Sequence, residues 1–126
     1  MWEKFVFLTT LAAMSTLTHA TIGEMMAADE GERSTLAMLG ECEAVAAAEG
    51  HAVAASTSER MRKMLTDRAS GFTASMRRDM EQGGPTEGDH IIGDMIRRAG
   101  AKGVATPLLR LALCNLQVYD AKRLRK

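Results

Sequence analysis

Aromatic side chains are scarce in this 126-residue chain: they make up 4% of it, and β-branched residues are sparse beside Ala, Met and Leu. Strands draw on aromatic and β-branched residues and helices on Ala, Met and Leu, so the shortage argues against a sheet-built protein and predicts an all-α fold. A surplus of charge of one sign is missing as well. With 16 basic and 16 acidic residues the formal net charge is zero, and no global field draws nucleic acid or an anionic membrane. The basic end Lys122-Arg123-Leu124-Arg125-Lys126 is short and terminal, the pattern of a solvated tail. Two cysteines, Cys42 and Cys114, stand in no C-x-x-C or Cys/His ligand spacing. Reduced thiols and a cytoplasmic location are therefore expected.

Other absences concern chemistry. There is no G-x-G-x-x-G after a strand and no G-x-x-x-x-G-K-[ST], so the polypeptide carries no recognisable nucleotide cradle of its own. Glu87-Gly88-Asp89-His90 spells E-x-x-H, a spacing used by di-metal helix bundles, but no second copy exists and no metal site is expected. His90 is expected to be a helix-surface or packing histidine. Nor does any spacing place a Ser-His-Asp set, which is recognised by geometry and not by order. No run is long enough to span a membrane. Residues 1–20 have two readings, a core helix or a signal peptide ending at Thr18-His19-Ala20, the latter making a secreted helical protein that begins after Ala20. Thr9, Thr10, Ser15 and Thr16 interrupt the apolar run and Glu3 precedes it, which favours the core helix.

What is present reads as one domain over residues 1–126, built of six helices. The first is expected from about Trp2 to Ala20, with Trp2, Phe5, Leu8 or Thr9, Ala12, Ser15 or Thr16 and His19 on one stripe and Gly23 as its stop. The second spans about Arg33 to Glu49, with Leu36, Leu39, Glu43 and Ala46 inward, ended by Gly50. Ser56-Thr57-Ser58-Glu59 has the form of a capping box and opens the third, whose inner face is Met61, Met64 and Leu65. The fourth covers about Phe72 to Gln82. Gly83-Gly84-Pro85 breaks it, and the fifth runs from about Pro85 or Thr86 to Ala99, burying Ile91, Ile92, Met95 and Ile96. Thr106-Pro107 caps and opens the sixth, with Leu109, Ala112, Leu113, Leu116 and Tyr119 inward. The ten methionines are expected to fill gaps between helices.

Two places invite chemistry. The corner around Gly83-Gly84-Pro85 gathers Ser75, Asp79, Glu87 and Asp89 near a helix start, where polar ligands can be held. Ser75 has two readings, a ligand-holding hydroxyl or a small residue that lets helices approach. Lys4 lies among Trp2, Phe5 and Phe7. Either its stem covers apolar surface and its ammonium stays wet, the commoner situation, or it is desolvated and tuned as a proton donor.

Six segments carry a resemblance: Trp2-Glu3-Lys4-Phe5, the helix Glu43 to Gly50 with its E-x-x-A-V-A-type run, Ala74-Ser75-Met76-Arg77-Arg78-Asp79, Thr86-Glu87-Gly88-Asp89, Ile92-Gly93, and Val104-Ala105-Thr106-Pro107. In this order and spacing, across nearly the whole chain, they resemble the C-terminal helical domain of ketopantoate reductase (2-dehydropantoate 2-reductase). The resemblance implies the helical half of an NADP-dependent oxidoreductase of pantothenate biosynthesis that reduces a small 2-oxo acid. Lys4 resembles the catalytic lysine, Ser75 the serine that holds substrate, and Glu87 the glutamate that bonds the substrate's hydroxyl side; Asp79 matches a bracing position. NADPH is implied only with a Rossmann domain, which this chain lacks and which would be supplied in cis or in trans. Leu8 and Ala12 stand four and eight residues after Lys4, where the family has substrate-contacting asparagines. That departure implies a different or less polar oxo acid. The alternative is a stand-alone, non-catalytic helical module, homo-oligomeric, or a truncated remnant of the domain.

Overall fold

A computed structural model describes residues 1–72 and 88–124. Within them lie six helices: α1 Trp2–Thr18, α2 Ile22–Ala27, α3 Gly31–Ala48, α4 Ala55–Leu65, α5 Gly88–Ala101 and α6 Pro107–Leu124. No strand occurs among the described residues, as the scarcity of β-forming side chains predicts. Most of the expected fourth helix falls outside them, and Phe72, its expected first residue, is in no helix and is exposed.

The first helix is the axis of the structure. It packs against α3, α4, α5 and α6, and its residues Thr9 to Thr16 are all buried. The expected single stripe is therefore corrected: Leu8 is exposed, while Ala12 and its neighbours on every side are sealed. The cause is side-chain size. Ala12, Ala13, Ser15 and the threonines leave room for helices to close in from several directions, and Thr10 Oγ1 and Thr18 Oγ1 donate back to the carbonyls of Val6 and Met14 at 2.9 and 2.7 Å. At Thr10, which is fully buried, that bond satisfies a hydroxyl that would otherwise be costly to bury.

His19 ends α1 in the left-handed conformation (φ 54°), its amide on Ser15 O. Gly23, expected to be the stop, instead lies inside α2. A Cβ there would come within 2.8 Å of the carbonyl oxygens of Arg68 and Ser70, so glycine is what lets the 68–72 segment lie against this helix. The Ile22 and Gly23 amides donate to Phe72 O and Ser70 O at 3.0 and 2.9 Å. The signal for α2 was Thr21-Ile22-Gly23-Glu24: Thr21 Oγ1 accepts from the Glu24 amide and Glu24 Oε1 from the Thr21 amide, a reciprocal cap.

Gly50 terminates α3 as expected, with φ 83° and the Gly50 and His51 amides turned back on Ala47 O and Ala46 O. The buried face of α3 is Thr35, Met38, Leu39, Cys42, Val45 and Ala46, so Leu36 and Glu43 sit at its margin. The capping box expected at Ser56 to Glu59 does not form. Ala54 is the N-cap without a side-chain bond; Ser58, one turn in, donates to Glu43 Oε2 at 2.6 Å and accepts from Arg62 Nη2 at 2.9 Å. The helix begins at Ala55, so Ser56 lies inside it and cannot serve as its cap. Met61 and Leu65 are buried and Met64 is not.

The start of α6 is settled by a neighbouring helix. Glu41 of α3 accepts the Leu108 and Leu109 amides at 2.9 and 3.1 Å, so the amides that a Thr106 hydroxyl would serve belong to a residue on α3. Asn115 Nδ2 donates to Thr16 O at 2.9 Å and ties α6 to α1. Side chains from all six helices meet in one apolar cluster. Six methionines (14, 25, 26, 38, 61 and 95) are buried in it and no aromatic ring is; Trp2, Phe5, Phe7 and Tyr119 flank it, partly buried. Cys42 and Cys114 are free, the first buried and the second exposed. Among the described residues no helix is long and apolar enough to cross a membrane.

Candidate functional site

The first two turns of α1, of which only Val6 is buried, hold Lys4, one of the two places singled out in the sequence. Trp2 anchors them. Its ring stacks on His51 (centroids 5.8 Å apart, 16° between planes), meets Phe5 at 5.5 Å, and lies 5.2 Å from the guanidinium carbon of Arg98. Arg98 is held in turn by Asp94, Nε to Oδ1 3.3 Å. An otherwise frayable helix end is thus fixed against the loop after α3 and the last turns of α5.

On the opposite side of that turn Lys4 is exposed, its side chain open to solvent in this domain. The residue nevertheless has defined surroundings. A groove of about 240 Å³ opens between α1 and α4, lined by Glu3, Lys4, Phe7, Thr57, Arg60, Met61 and Met64. Lys4, Phe7 and Leu8 recur at three and four residues and share one face of α1. Leu8 is 40% exposed and Ala12, a further turn along, only 2%. Of the two apolar replacements flagged in the sequence, only Leu8 can meet a ligand.

Arg60 is the residue sequence reasoning missed. It lines the groove with Lys4, and its Nη2 donates to Thr57 Oγ1 at 3.2 Å, which steers the guanidinium along α4. Nothing in the spacing signals it, because α1 and α4 come together only through the core. A carbonyl or carboxylate entering this groove would meet two cations over a floor of Phe7 and Met61, and a cation beside a developing alkoxide is a stabiliser and a proton source. Ser75, Asp79 and Glu87 lie outside the described residues. Asp89 and His90 are exposed in the first turn of α5, and among the described residues no group of His, Cys, Asp and Glu could hold a metal ion.

The family profile described as "Ketopantoate reductase PanE/ApbA C terminal" matches residues 1–120. The chain belongs to this family. It is the C-terminal domain of a ketopantoate-reductase-like oxidoreductase. It is 32% identical over 123 residues to the uncharacterized oxidoreductase YkpB of Bacillus subtilis, covering 98% of this chain and 41% of that protein. It is 32% identical over 110 residues to the 2-dehydropantoate 2-reductase of Halobacterium salinarum, covering 87% of this chain and 36% of that one. The fold is similar to that of a PanE/ApbA family ketopantoate reductase from Ralstonia eutropha JMP134, with a TM-score of 0.86 at 24% identity over 98% of this chain and 41% of that one. The chain therefore spans about two fifths of the length of the relatives it matches.

Proposed function

We propose that these 126 residues are the substrate-side helical half of an NADPH-dependent reductase of a small 2-oxo acid such as 2-dehydropantoate. Its activity requires a dinucleotide-binding Rossmann domain, joined in the same polypeptide or supplied by a second one. In this reading Lys4 holds the carbonyl oxygen of the oxo acid and gives it a proton as the alcohol forms. Ser75 holds the substrate and Glu87 accepts a hydrogen bond from its hydroxyl side. NADPH would supply the hydride, bound by the Rossmann domain and not by residues of this chain. Reduction of 2-dehydropantoate belongs to pantothenate biosynthesis, and a cytoplasmic location agrees with two free thiols.

The observation that carries the reading is the family match over residues 1–120 combined with an exposed Lys4 on a turn braced by Trp2. In the complete enzyme, Lys4→Ala is expected to lower kcat for 2-dehydropantoate by about 10²- to 10⁴-fold. NADPH affinity, measured by fluorescence titration, is expected to stay within twofold. Unchanged turnover, or a matching loss of NADPH binding, would overturn the role given to Lys4. A chain that purifies from its source cells with no Rossmann domain, in cis or in trans, would overturn the reductase reading.

A further inference from the structure

A helix as short as α2 cannot stand alone, because most of its backbone donors and acceptors have no partner within the helix. The segment 67–72 supplies partners at both of its ends. At the start of α2 the Ile22 and Gly23 amides donate to Phe72 O and Ser70 O, and near its end the Met26 carbonyl accepts from Arg68 Nη1 at 3.1 Å. The segment is itself held in shape: the Ala69 amide donates to Asp67 Oδ1 at 3.0 Å and the Phe72 amide to Ser70 Oγ at 3.1 Å. Its close seating depends on Gly23, where a Cβ would stand 2.8 Å from two main-chain oxygens that no side-chain rotation can remove. The clamp ends at Phe72. That ring meets Phe7, a wall of the groove that holds Lys4, at 6.4 Å between centroids, and in the sequence Ser75 follows three positions later.

Gly23 and Arg68 do not line that groove, so any influence they have on it passes through the segment. Resting on the roles given above to Lys4 and Ser75, we propose that Gly23 and Arg68 are positioning residues for the substrate. By seating the segment 67–72 on α2 they fix Phe72 against the groove wall, and with it the point from which the chain continues to Ser75. The clamp acts before substrate arrives. A substrate that meets a wall already in place loses less freedom on binding than one that must order it. Lys4 is held independently, since it belongs to α1, which keeps its place through the rings around Trp2 and through its buried half. Loosening the clamp therefore weakens the hold on the substrate and spares the proton transfer, a rise in KM with little change in kcat.

The test compares Gly23→Ala, Arg68→Ala and Arg68→Lys in the complete enzyme; Arg68 is exposed, so its variants fold. Two controls accompany them: Gly40→Ala, at an exposed helix glycine with open space around it, and Leu109→Ala, which weakens the core from α6. Amide exchange read by mass spectrometry is expected to speed up at residues 22–23 in Gly23→Ala and Arg68→Ala and not in Gly40→Ala. In the same two variants the KM for the 2-oxo acid is expected to rise about tenfold, with kcat within about threefold and NADPH affinity within about twofold of wild type. Arg68→Lys keeps a donor for the Met26 carbonyl and is expected to bring KM back toward wild type. Leu109→Ala is expected to lower Tm at least as far as Gly23→Ala does, yet to leave KM unchanged at a temperature where both are folded. Faster exchange with KM unmoved would overturn the positioning role, and so would an equal rise in KM in Leu109→Ala. Unaltered exchange in both Gly23→Ala and Arg68→Ala would overturn the clamp. A wild-type enzyme that reduces no 2-oxo acid would remove the reading on which the positioning role rests, and the role with it. The exchange measurement would still decide whether Gly23 and Arg68 hold the segment.

Discussion

The two ends of α1 obey opposite rules. From Thr9 to Thr16 every residue is buried and large side chains are few; the Thr10 hydroxyl is turned back on the helix, while Thr9 Oγ1 is buried without a hydrogen-bond partner. From Trp2 to Leu8 the side chains are larger and only Val6 is buried; rings brace the turn and Lys4 stands in solvent. One rod is both the axis of the core and the bracket of a site. Small residues make the first use possible, because only they let several helices approach, and large ones the second, because only they reach outward to hold a turn or line a groove. With the role proposed for Lys4, stability and chemistry are separated along a single helix by about two turns.

Substitutions can break or sharpen that separation. Lys4→Ala should give the largest effect, the 10²- to 10⁴-fold fall in kcat described above, with unfolding free energy unchanged within about 0.5 kcal/mol by urea denaturation. Leu11→Ala, in the sealed half, should cost about 2–5 kcal/mol because the cavity forms where neighbours cannot collapse; Leu8→Ala, one turn earlier, should cost less than about 0.5 kcal/mol. Equal costs at the two leucines would erase the boundary. Ala13→Leu should cost about 1–3 kcal/mol by forcing the packed helices apart, and an unchanged Tm would show that the axis is not tightly enclosed.

An effect confined to alkaline pH concerns Cys42, which lies under the sealed half beside Thr10. Burial first, then the charges of Glu41 and Glu43, push its thiol from an ordinary 9.0 up to about 12, against a lowering by the Thr10 hydroxyl. The unfolded chain gives up this proton first, so the stability it contributes is complete below pH 9 and is lost as pH rises toward 12. The slope attributable to it is at most ~1.4 kcal/mol per pH unit. Cys42→Ala should remove that slope, and in the folded wild type Cys114 should take up a thiol reagent at pH 8 well before Cys42 does.

Much of this was legible in the residues. Gly50 and Thr106-Pro107 mark helix boundaries because backbone conformation is a local property, and both hold. The two expected side-chain caps went differently for different reasons. At α4 the helix begins at Ala55, so Ser56 lies inside it and is not its cap; at α6 the Leu108 and Leu109 amides go to Glu41 of α3. α2 escaped because its six residues show no period, although Thr21 and Glu24 carried its cap in plain form. The all-round burial of α1 escaped because Ala and Thr fit a core and a surface equally well. At the candidate site, Lys4 was singled out by its aromatic neighbours and given a role by the family resemblance, whereas Arg60 is brought to the same groove by tertiary packing that no spacing encodes.

The bond from Asn115 to Thr16 spans 99 positions of sequence. At ~5–20 residues per second, roughly 5–20 s of synthesis separate the two residues. α1 leaves the ribosome before any of the helices that enclose it and must wait for the last of them without sticking to something else. A conventional core helix, with a broad stripe of Leu and Phe, would be hazardous in that interval. The Thr- and Ala-rich stretch of α1 exposes little that another chain could seize, so the small side chains that later admit four partners also keep the helix tolerable while it has none.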